Sequence, residues 1–205
     1  MAPAVTFRLV SRSSRETFAM GERLGRRLRP GDVVALVGEL GAGKTQLVRG
    51  ACRGAGVPDA EVASPSFAIV ASYRGRIPVH HADLYRVADF DELYATGLAD
   101  LVAGDGATLV EWADRVPGAL PDERLEIRLA HDARRPSLRR LEVRGVGERH
   151  AGLAGALRPR RPRRPAPARG PGKGGARRGG RSRPGPRPRR RDGRAGAPPG
   201  RVPGR

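Results

Sequence analysis

Hydrophobic positions near the start of the chain predict a strand followed by a helix. Residues 6–10 (TFRLV) form a short apolar run that is typical of a strand. Ser13, with Glu16 three residues later, has the spacing of a capping box and therefore predicts a helix N-terminus. The inner side of that helix is marked by apolar residues spaced four apart: Met20, Leu24 and Leu28.

A second strand is predicted where the apolar run becomes continuous. Pro30 and Gly31 are typical of a turn, and Val33–Val37 follows as an unbroken, largely β-branched run. Such a run is typical of a strand that is buried on both faces of a parallel sheet. A glycine-rich segment comes next, and residues 45–51 predict a helix that ends near the glycines at 54 and 56.

Later in the chain, apolar runs alternate with polar segments. Five of these runs predict strands: residues 67–72, 77–81, 108–112, 125–129 and 141–144. A helix is predicted from about Asp89 to Thr96, with Leu93 facing inward. Strands that alternate with helices indicate an α/β fold with a mainly parallel β-sheet flanked by helices. The last two runs would add antiparallel edge strands to this sheet.

Charge and composition divide the chain into two parts. Residues 1–150 are nearly neutral and have the length of one globular domain. Residues 151–205 contain 18 basic residues against one acidic residue, Asp192, and are rich in arginine, proline and glycine. Their few large apolar side chains cannot offset the entropy cost of ordering the backbone. We therefore expect a folded domain over residues 1–150 and a disordered basic tail over residues 151–205.

The cysteine content and the length of the apolar runs exclude two kinds of protein, those stabilised by cysteine pairs or clusters and those that span a membrane. Cys52 is the only cysteine, which excludes an internal disulfide and a cysteine-based zinc cluster. No apolar run approaches the roughly 18 residues of a membrane span, and the first residues lack the pattern of a signal peptide. We expect a soluble, cytoplasmic protein.

The glycine-rich segment GELGAGKT, residues 38–45, matches the pattern G-x-x-x-x-G-K-[ST] in full. It lies between a predicted buried strand and a predicted helix, which is the context that the pattern requires. Glycines let backbone N–H groups approach an anion closely, and the helix N-terminus adds positive potential. The sequence therefore predicts a P-loop whose residues bind nucleotide phosphates: Gly38, Glu39, Leu40, Gly41, Ala42, Gly43, Lys44 and Thr45.

Lys44 is the only lysine among the first 150 residues, in a chain that otherwise uses arginine for its basic positions. A loop that wraps phosphates tightly requires a compact point charge. The planar, forked guanidinium group of arginine is larger and favours bidentate geometry. The retained lysine therefore supports the phosphate-binding interpretation, and Thr45 is placed to bind Mg²⁺ through its hydroxyl group.

The same residues favour ATP as the nucleotide. Guanine specificity usually requires an Asn/Thr-Lys-x-Asp element, and the domain has no second lysine to supply one. Two carboxylates follow apolar strands, where Mg²⁺ and an attacking water are usually handled. Asp83 lies in the segment VHHADLYR, and Glu111 precedes the only tryptophan, Trp112. These patterns leave open which carboxylate binds the metal directly.

Four short motifs follow one another along the domain. They are GELGAGKT at 38–45, SPSF at 64–67, HADLYR at 81–86 and EW at 111–112. In this order they resemble the TsaE family, small bacterial P-loop ATPases of tRNA threonylcarbamoyladenosine biosynthesis. The resemblance covers about residues 5–145, which is nearly all of the predicted domain.

The resemblance implies catalytic and metal-binding roles. Residues 38–45 would hold ATP, with Lys44 on the β- and γ-phosphates and Thr45 on Mg²⁺. Glu111 would hold or activate the metal shell, and Asp83 would position Mg²⁺ or water.

The resemblance also implies which residues respond to the bound nucleotide and which partner proteins act together with the chain. Ser64 and Ser66 would form a switch-like loop, and Trp112 would lie near the nucleotide. The implied partners are TsaD and TsaB, which transfer threonylcarbamoyl to adenosine 37 of tRNA. ATP hydrolysis would reset that complex, and tRNA would be contacted indirectly, with a weak contact through the tail as a further possibility.

Two other interpretations remain open. A P-loop small-molecule kinase would need an arginine-bearing lid, for which residues 134–140 are the candidate, although their alternating pattern also fits the solvated face of an edge hairpin. The basic tail would allow sequence-independent RNA binding, but no aromatic residues interleave its arginines for base stacking.

Overall fold

The computed structural model describes residues 2–58, 62, 65 and 69–158, which belong to one compact unit, Met1–Pro162. Strands and helices alternate along most of these residues. In chain order the elements are β1 (Ala4–Ser11), α1 (Ser14–Gly25), β2 (Val33–Val37), α2 (Lys44–Gly54), β3 (Val70–Arg74), β4 (Pro78–Asp83), α3 (Phe90–Ala95), α4 (Leu98–Ala103), β5 (Ala107–Glu111), β6 (Leu125–Asp132), β7 (Arg135–Val146), α5 (Glu148–Ala154) and a 3₁₀ helix (Gly155–Leu157).

The strands form one sheet in the order β1-β7-β6-β2-β5-β4-β3. The central strands β6, β2, β5 and β4 run parallel, whereas β1, β7 and β3 pair antiparallel at the two sides. The predicted α/β fold with a mainly parallel sheet is confirmed. The expectation for the last two strands was wrong in part, because β6 is parallel to β2 and β7 is covered by β1. Periodicity indicates a strand but does not identify its partner.

Helix α1 begins where the sequence predicts. The Ser13 Oγ accepts a hydrogen bond from the Glu16 N–H group at 3.1 Å. The Glu16 carboxylate accepts from the Arg12 N–H group at 2.7 Å, one residue before the partner expected in a capping box. Leu28 is fully buried although the helix ends at Gly25, so the apolar spacing extends beyond the helix itself.

Helices α1 and α2 pack with their backbones in close approach. Glycines at a spacing of four form the contact from both sides: Gly21, Gly25, Gly50 and Gly54. A Cβ atom on Gly21 would overlap the carbonyl oxygen of Leu47, and one on Gly50 would overlap that of Phe18. No larger residue fits at these positions unless the helices separate.

Hydrophobic clusters lie on both faces of the sheet. The larger one fills the space beneath α1 and α2 with side chains that include Val34, Leu36, Leu109, Leu125 and Ile127. The smaller one lies beneath α3 and α4 and includes Ala82, Leu84, Leu93, Leu98 and Val110. Val33–Val37 is buried throughout because both of its faces are covered, which explains its unbroken apolar run.

Several predicted boundaries differ from the structure. Strand β3 begins at Val70, and residues 67–68 of the predicted strand lie outside the described residues. Helices α4 and α5 are absent from the sequence prediction; both follow glycine N-caps, Gly97 and Gly147, so neither has the side-chain start signal that Asp89 gives α3. Over the described ranges, no helix has both the length and the apolar character needed to cross a membrane.

The domain boundary predicted at residue 150 falls inside α5. Arg149 pairs with the buried carboxylate of Asp32 through Nε at 2.8 Å and Nη2 at 2.5 Å. Beyond the predicted boundary, Leu153 and Leu157 are buried against the core. The composition of the whole tail conceals the short apolar segment that precedes its arginines. The predicted disorder of the tail from residue 159 onward concerns residues that the structure does not describe.

Residues 134–140, the candidate lid of a kinase, form the turn and first part of the β6–β7 hairpin. Arg140 pairs with Asp132 across this hairpin at 2.7 Å, and Arg139 lies opposite His131 in the strand register. The segment is therefore part of the sheet, as the alternating pattern of the hairpin interpretation predicts.

We expect Gly50→Ala to lower the free energy of unfolding by about 1–3 kcal/mol, because the added methyl group forces α1 and α2 apart. Gly152 on α5 has open space around its Cα and provides the matched control. Gly152→Ala should be neutral or stabilising by up to about 1 kcal/mol, since alanine favours the helix. Urea unfolding measures both variants, and unchanged stability of Gly50→Ala would contradict the close helix contact.

Acid should weaken the fold through His150. Burial lowers the pKa of His150 below its ordinary value of 6.5, Asp32 opposes this shift, and Arg149 adds to it. The Nε2 atom accepts a hydrogen bond from the Val33 N–H group at 3.3 Å, which requires the unprotonated nitrogen. Because the unfolded chain binds more protons below 6.5, this contribution to stability is present above that pH and is lost as the pH falls. The free energy of unfolding, measured with urea at about pH 8 and about pH 5.5, should therefore fall less between these pH values for His150→Gln than for the wild-type chain. An equal loss would contradict this role of His150.

Candidate functional site

The glycine-rich loop joins β2 to α2 and places the helix N-terminus next to an open cleft. Gly38 and Gly43 have φ angles of 147° and 104°, which favour glycine. A Cβ atom on Gly38 would also overlap the carbonyl oxygen of Leu129. Gly43 is the N-cap of α2 and has no side chain to cap it, and the first turn contains no acidic residue. This end of α2 therefore keeps its positive potential available for an anion.

Lys44 is folded back into the loop. Its Nζ atom donates to the carbonyl oxygens of Gly38 at 2.6 Å and Glu39 at 3.0 Å. The same atom lies 3.7 Å from the ring centroid of Trp112, and the side chain is 4% exposed. Burial lowers the pKa of Lys44, and the carboxylate of Glu111 is the strongest influence opposing that shift. A single ammonium group fits this enclosure of two carbonyl oxygens and one aromatic face.

Thr45 connects the loop to a buried carboxylate at the end of β5. The Thr45 Oγ1 atom donates to Glu111 Oε2 at 2.9 Å, and Glu111 Oε1 accepts from His81 Nε2 at 2.9 Å. Glu111 and His81 are 2% and 0% exposed. The three side chains therefore form one continuous hydrogen-bonded row from the P-loop into the sheet.

Asp83 lies at the same edge of the sheet as Glu111. The two residues are direct partners in the register of the parallel strands β4 and β5. The Oδ1 atom of Asp83 accepts from the Tyr85 N–H group at 3.0 Å, which turns the chain after β4. The carboxyl ends of parallel strands meet at one edge, so the two predicted acidic residues lie next to the P-loop.

Trp112 begins a sharp turn after β5. Its φ angle is 57°, which is uncommon for a residue with a side chain. The Ala113 N–H group returns to the carbonyl oxygen of Leu36 at 3.2 Å. The indole ring contacts both the Lys44 ammonium group and the ring of Tyr85, whose centroid is 5.0 Å away. The strained turn therefore places the only tryptophan of the chain over the P-loop lysine.

The cleft bounded by these residues has a volume of about 580 Å³. Most of the sequence-predicted site residues line it: Gly41, Gly43, Lys44, Thr45, Asp83, Glu111 and Trp112. Leu40 lies at its mouth and is 78% exposed. Ala42 is fully buried in the core, and its N–H group donates to the carbonyl oxygen of Glu39 at 3.1 Å. Ser64 and Ser66 lie outside the described residues.

Several residues of the cleft were given no role in nucleotide binding from the sequence. Arg49, Tyr85 and Arg139 line it, although Tyr85 lies in the HADLYR motif and Arg139 in the candidate lid. Arg49 is on α2 one turn beyond Thr45, a spacing from which its position could have been predicted. Arg139 reaches the cleft from β7, and no local pattern indicates that approach.

Thr45 and Glu111 are the residues that suit a magnesium ion. Their hydroxyl and carboxylate oxygens are neighbours beside the P-loop, and Mg²⁺ prefers oxygen ligands. Among the described residues, no group of three or more His, Cys, Asp or Glu side chains is placed to hold a metal ion. The donor set fits an ion that takes most of its ligands from phosphates and water.

The fold and the site together define the P-loop class of proteins. A buried parallel strand leads through G-x-x-x-x-G-K-T into a helix, and acidic residues follow the neighbouring parallel strands. Within this class, residues 11–140 match the family model described as "Threonylcarbamoyl adenosine biosynthesis protein TsaE". The chain belongs to the TsaE family.

Individual relatives agree with this assignment. The chain is 40% identical over 122 residues to the tRNA threonylcarbamoyladenosine biosynthesis protein TsaE of Treponema pallidum, covering 60% of this chain and 90% of the relative. It is 40% identical over 138 residues to the TsaE protein of Streptomyces coelicolor, covering 64% and 92%. The crystal structure of Bacillus subtilis YdiB superposes with a TM-score of 0.59 at 32% identity, covering 77% of this chain and 95% of YdiB.

Replacing Lys44 by methionine should change the tryptophan emission of the chain. Trp112 is the only tryptophan, and the substitution removes the cation from its ring face. The control is Lys173→Met, which removes the only other lysine and the same charge. We expect the emission maximum or intensity to change in Lys44→Met and to stay constant in the control. Identical spectra for Lys44→Met and the wild-type chain would contradict the contact.

Proposed function

We propose that the chain binds ATP with Mg²⁺ in the cleft beside Lys44 and hydrolyses it as a component of tRNA N6-threonylcarbamoyladenosine biosynthesis. The observation that carries this proposal is the hydrogen bond between Thr45 and the buried Glu111 at the N-terminus of α2. It joins a phosphate-binding loop to a carboxylate in one small volume. Phosphoryl transfer to water requires both, because its catalysis consists mainly of positioning and electrostatic stabilisation.

Nucleotide binding would proceed by exchange of the ligands of Lys44. In the described structure its ammonium group contacts two loop carbonyl oxygens and the Trp112 ring. The β- and γ-phosphates of ATP carry full negative charge and are stronger partners for an ammonium group than neutral carbonyl oxygens. The exchange would move Lys44 onto the phosphates while the loop N–H groups hold the remaining phosphate oxygens.

The metal would be held by Thr45 and Glu111, and bound Mg²⁺ would neutralise charge on the phosphate oxygens. Asp83, one strand away from Glu111, is the residue we assign to orienting the attacking water. Arg49 and Arg139 extend into the same cleft and add positive charge near the phosphates. The residues of the cleft therefore provide binding, orientation and charge stabilisation together.

The cellular role rests on the family. The relatives from Treponema pallidum and Streptomyces coelicolor are named tRNA threonylcarbamoyladenosine biosynthesis proteins. We propose that this chain serves the same pathway in the cytoplasm, acting with TsaD and TsaB and using ATP hydrolysis to reset that complex. Contact with tRNA would be indirect in this arrangement, and turnover would be slow until the chain docks on its partners.

The full chain should hydrolyse ATP in the presence of Mg²⁺, and the rate should rise when TsaB and TsaD are added. Lys44→Ala and Glu111→Gln should each lower turnover by about 100-fold or more, as expected when a charge-stabilising group is lost. Lys44→Arg should be nearly as inactive as Lys44→Ala, because the enclosure around Nζ fits an ammonium group.

Release of inorganic phosphate measures the turnover, and Lys173→Arg, at the only other lysine of the sequence, is the matched control. Wild-type activity in Lys44→Arg would contradict the proposed role of the lysine. Turnover that ignores TsaB and TsaD would contradict the proposed partners. A phosphorylated metabolite in place of free phosphate would instead support a small-molecule kinase.

A further inference from the structure

One buried side chain beside the cleft has no assigned role in the hydrolysis described above. His81 lies on β4 two residues before Asp83, so both side chains are on the same face of the strand. Its Nε2 atom is 2.9 Å from Glu111 Oε1, and its side chain is fully buried. His80, the preceding residue, faces the other side of the sheet and bonds to Ser72 at 2.8 Å.

The hydrogen bonds of Glu111 divide its two oxygens between different partners. Oε1 accepts from His81, and Oε2 accepts from Thr45. A carboxylate held at one oxygen cannot rotate freely about its last bond, so the other oxygen keeps its direction toward the P-loop. Without His81, a buried oxygen of Glu111 would lose its hydrogen-bond donor. Because an unsatisfied buried oxygen costs free energy, the carboxylate would then rotate toward another donor.

The bond also determines the state of the imidazole ring. An ionised carboxylate only accepts hydrogen bonds, so the proton must reside on Nε2 of His81. The Nδ1 atom is buried and has no hydrogen-bond partner among the described residues. Within that part of the chain, the contact with Glu111 is therefore the hydrogen bond that fixes the side chain of His81. This arrangement suits a group whose purpose is to orient the carboxylate.

We propose that His81 is a positioning residue for Glu111: its Nε2–H group fixes one carboxylate oxygen so that the other stays directed at Thr45. This inference rests on the proposed ATP hydrolysis for its kinetic consequence, but the hydrogen bond itself can be tested without nucleotide. His81 would act on the rate of hydrolysis rather than on the affinity for ATP, since it contacts neither the loop nor the cleft.

Two amide variants of His81 test the inference, because their nitrogen donors lie at different distances from the backbone. The Nε2 atom of a glutamine extends about as far from the backbone as Nε2 of histidine, whereas the Nδ2 atom of asparagine stops near the position of Nδ1. His81→Gln should keep kcat within about threefold of the wild-type value, and His81→Asn should lose about 10–100-fold, as is typical for groups that orient metal-site ligands. KM for ATP should change by less than about threefold in both. His80→Gln is the control from the opposite face of the strand and should retain the wild-type kcat.

The second measurement uses the nucleotide-free chain. The protein has four histidines, so the imidazole nitrogens can be assigned by NMR on 15N-histidine-labelled protein. Glu111→Gln should shift the Nε2 signal of His81 and leave that of His80 unchanged. Equal kcat values for His81→Asn and the wild-type chain, equal losses in His81→Asn and His81→Gln, or a His81 signal insensitive to Glu111→Gln would each overturn the inference. If the wild-type chain did not hydrolyse ATP, the proposed function would fail, and the NMR signal would still decide whether His81 holds Glu111.

Discussion

A buried carboxylate is the constraint around which this site is organised. Glu111 lies almost completely out of solvent, where an ionised group is stable only with hydrogen-bond donors or a positive charge nearby. Three side chains provide them: His81 of β4 and Thr45 of α2 donate hydrogen bonds, and Lys44 of α2 contributes a positive charge. The parallel pairing of β4, β5 and β2 is what brings these groups to one edge of the sheet. The fold and the electrostatics of the site therefore depend on each other.

The same arrangement explains why the region is strained. The chain turns sharply after Glu111, with Trp112 at a positive φ angle and its ring against Lys44. A backbone conformation of this kind costs of the order of 1–3 kcal/mol and persists where surrounding contacts enforce it. Here the enforcing contacts are the Tyr85 ring and the hydrogen bond from Ala113 to Leu36. The strained turn places an aromatic face directly over the ammonium group of Lys44.

Local features of the fold could be predicted from the sequence, whereas long-range ones could not. The strand Val33–Val37 and the P-loop are contiguous patterns, and their neighbours along the chain determine their conformation. The bond between His81 and Glu111 joins residues 30 positions apart and depends on the register of two strands. The alternation of side chains along a strand puts His81 on the same face as Asp83 but does not identify its partner. The approach of Arg139 to the cleft depends on β7 pairing with β1, a choice that periodicity does not encode.

The glycine contact between α1 and α2 has a mechanical consequence. Where side chains separate two helices, rotamer changes let one helix slide over the other, but here carbonyl oxygens meet Cα atoms directly. At these glycines no side chain separates the two backbones, so α1 and α2 are expected to move as one body. Both helices line the cleft, α1 through Thr17 and α2 through Arg49, so this part of the cleft is expected to stay rigid. A displacement caused by a ligand is therefore expected among the other residues that line the cleft, such as Trp112 and Tyr85, of which Tyr85 is exposed.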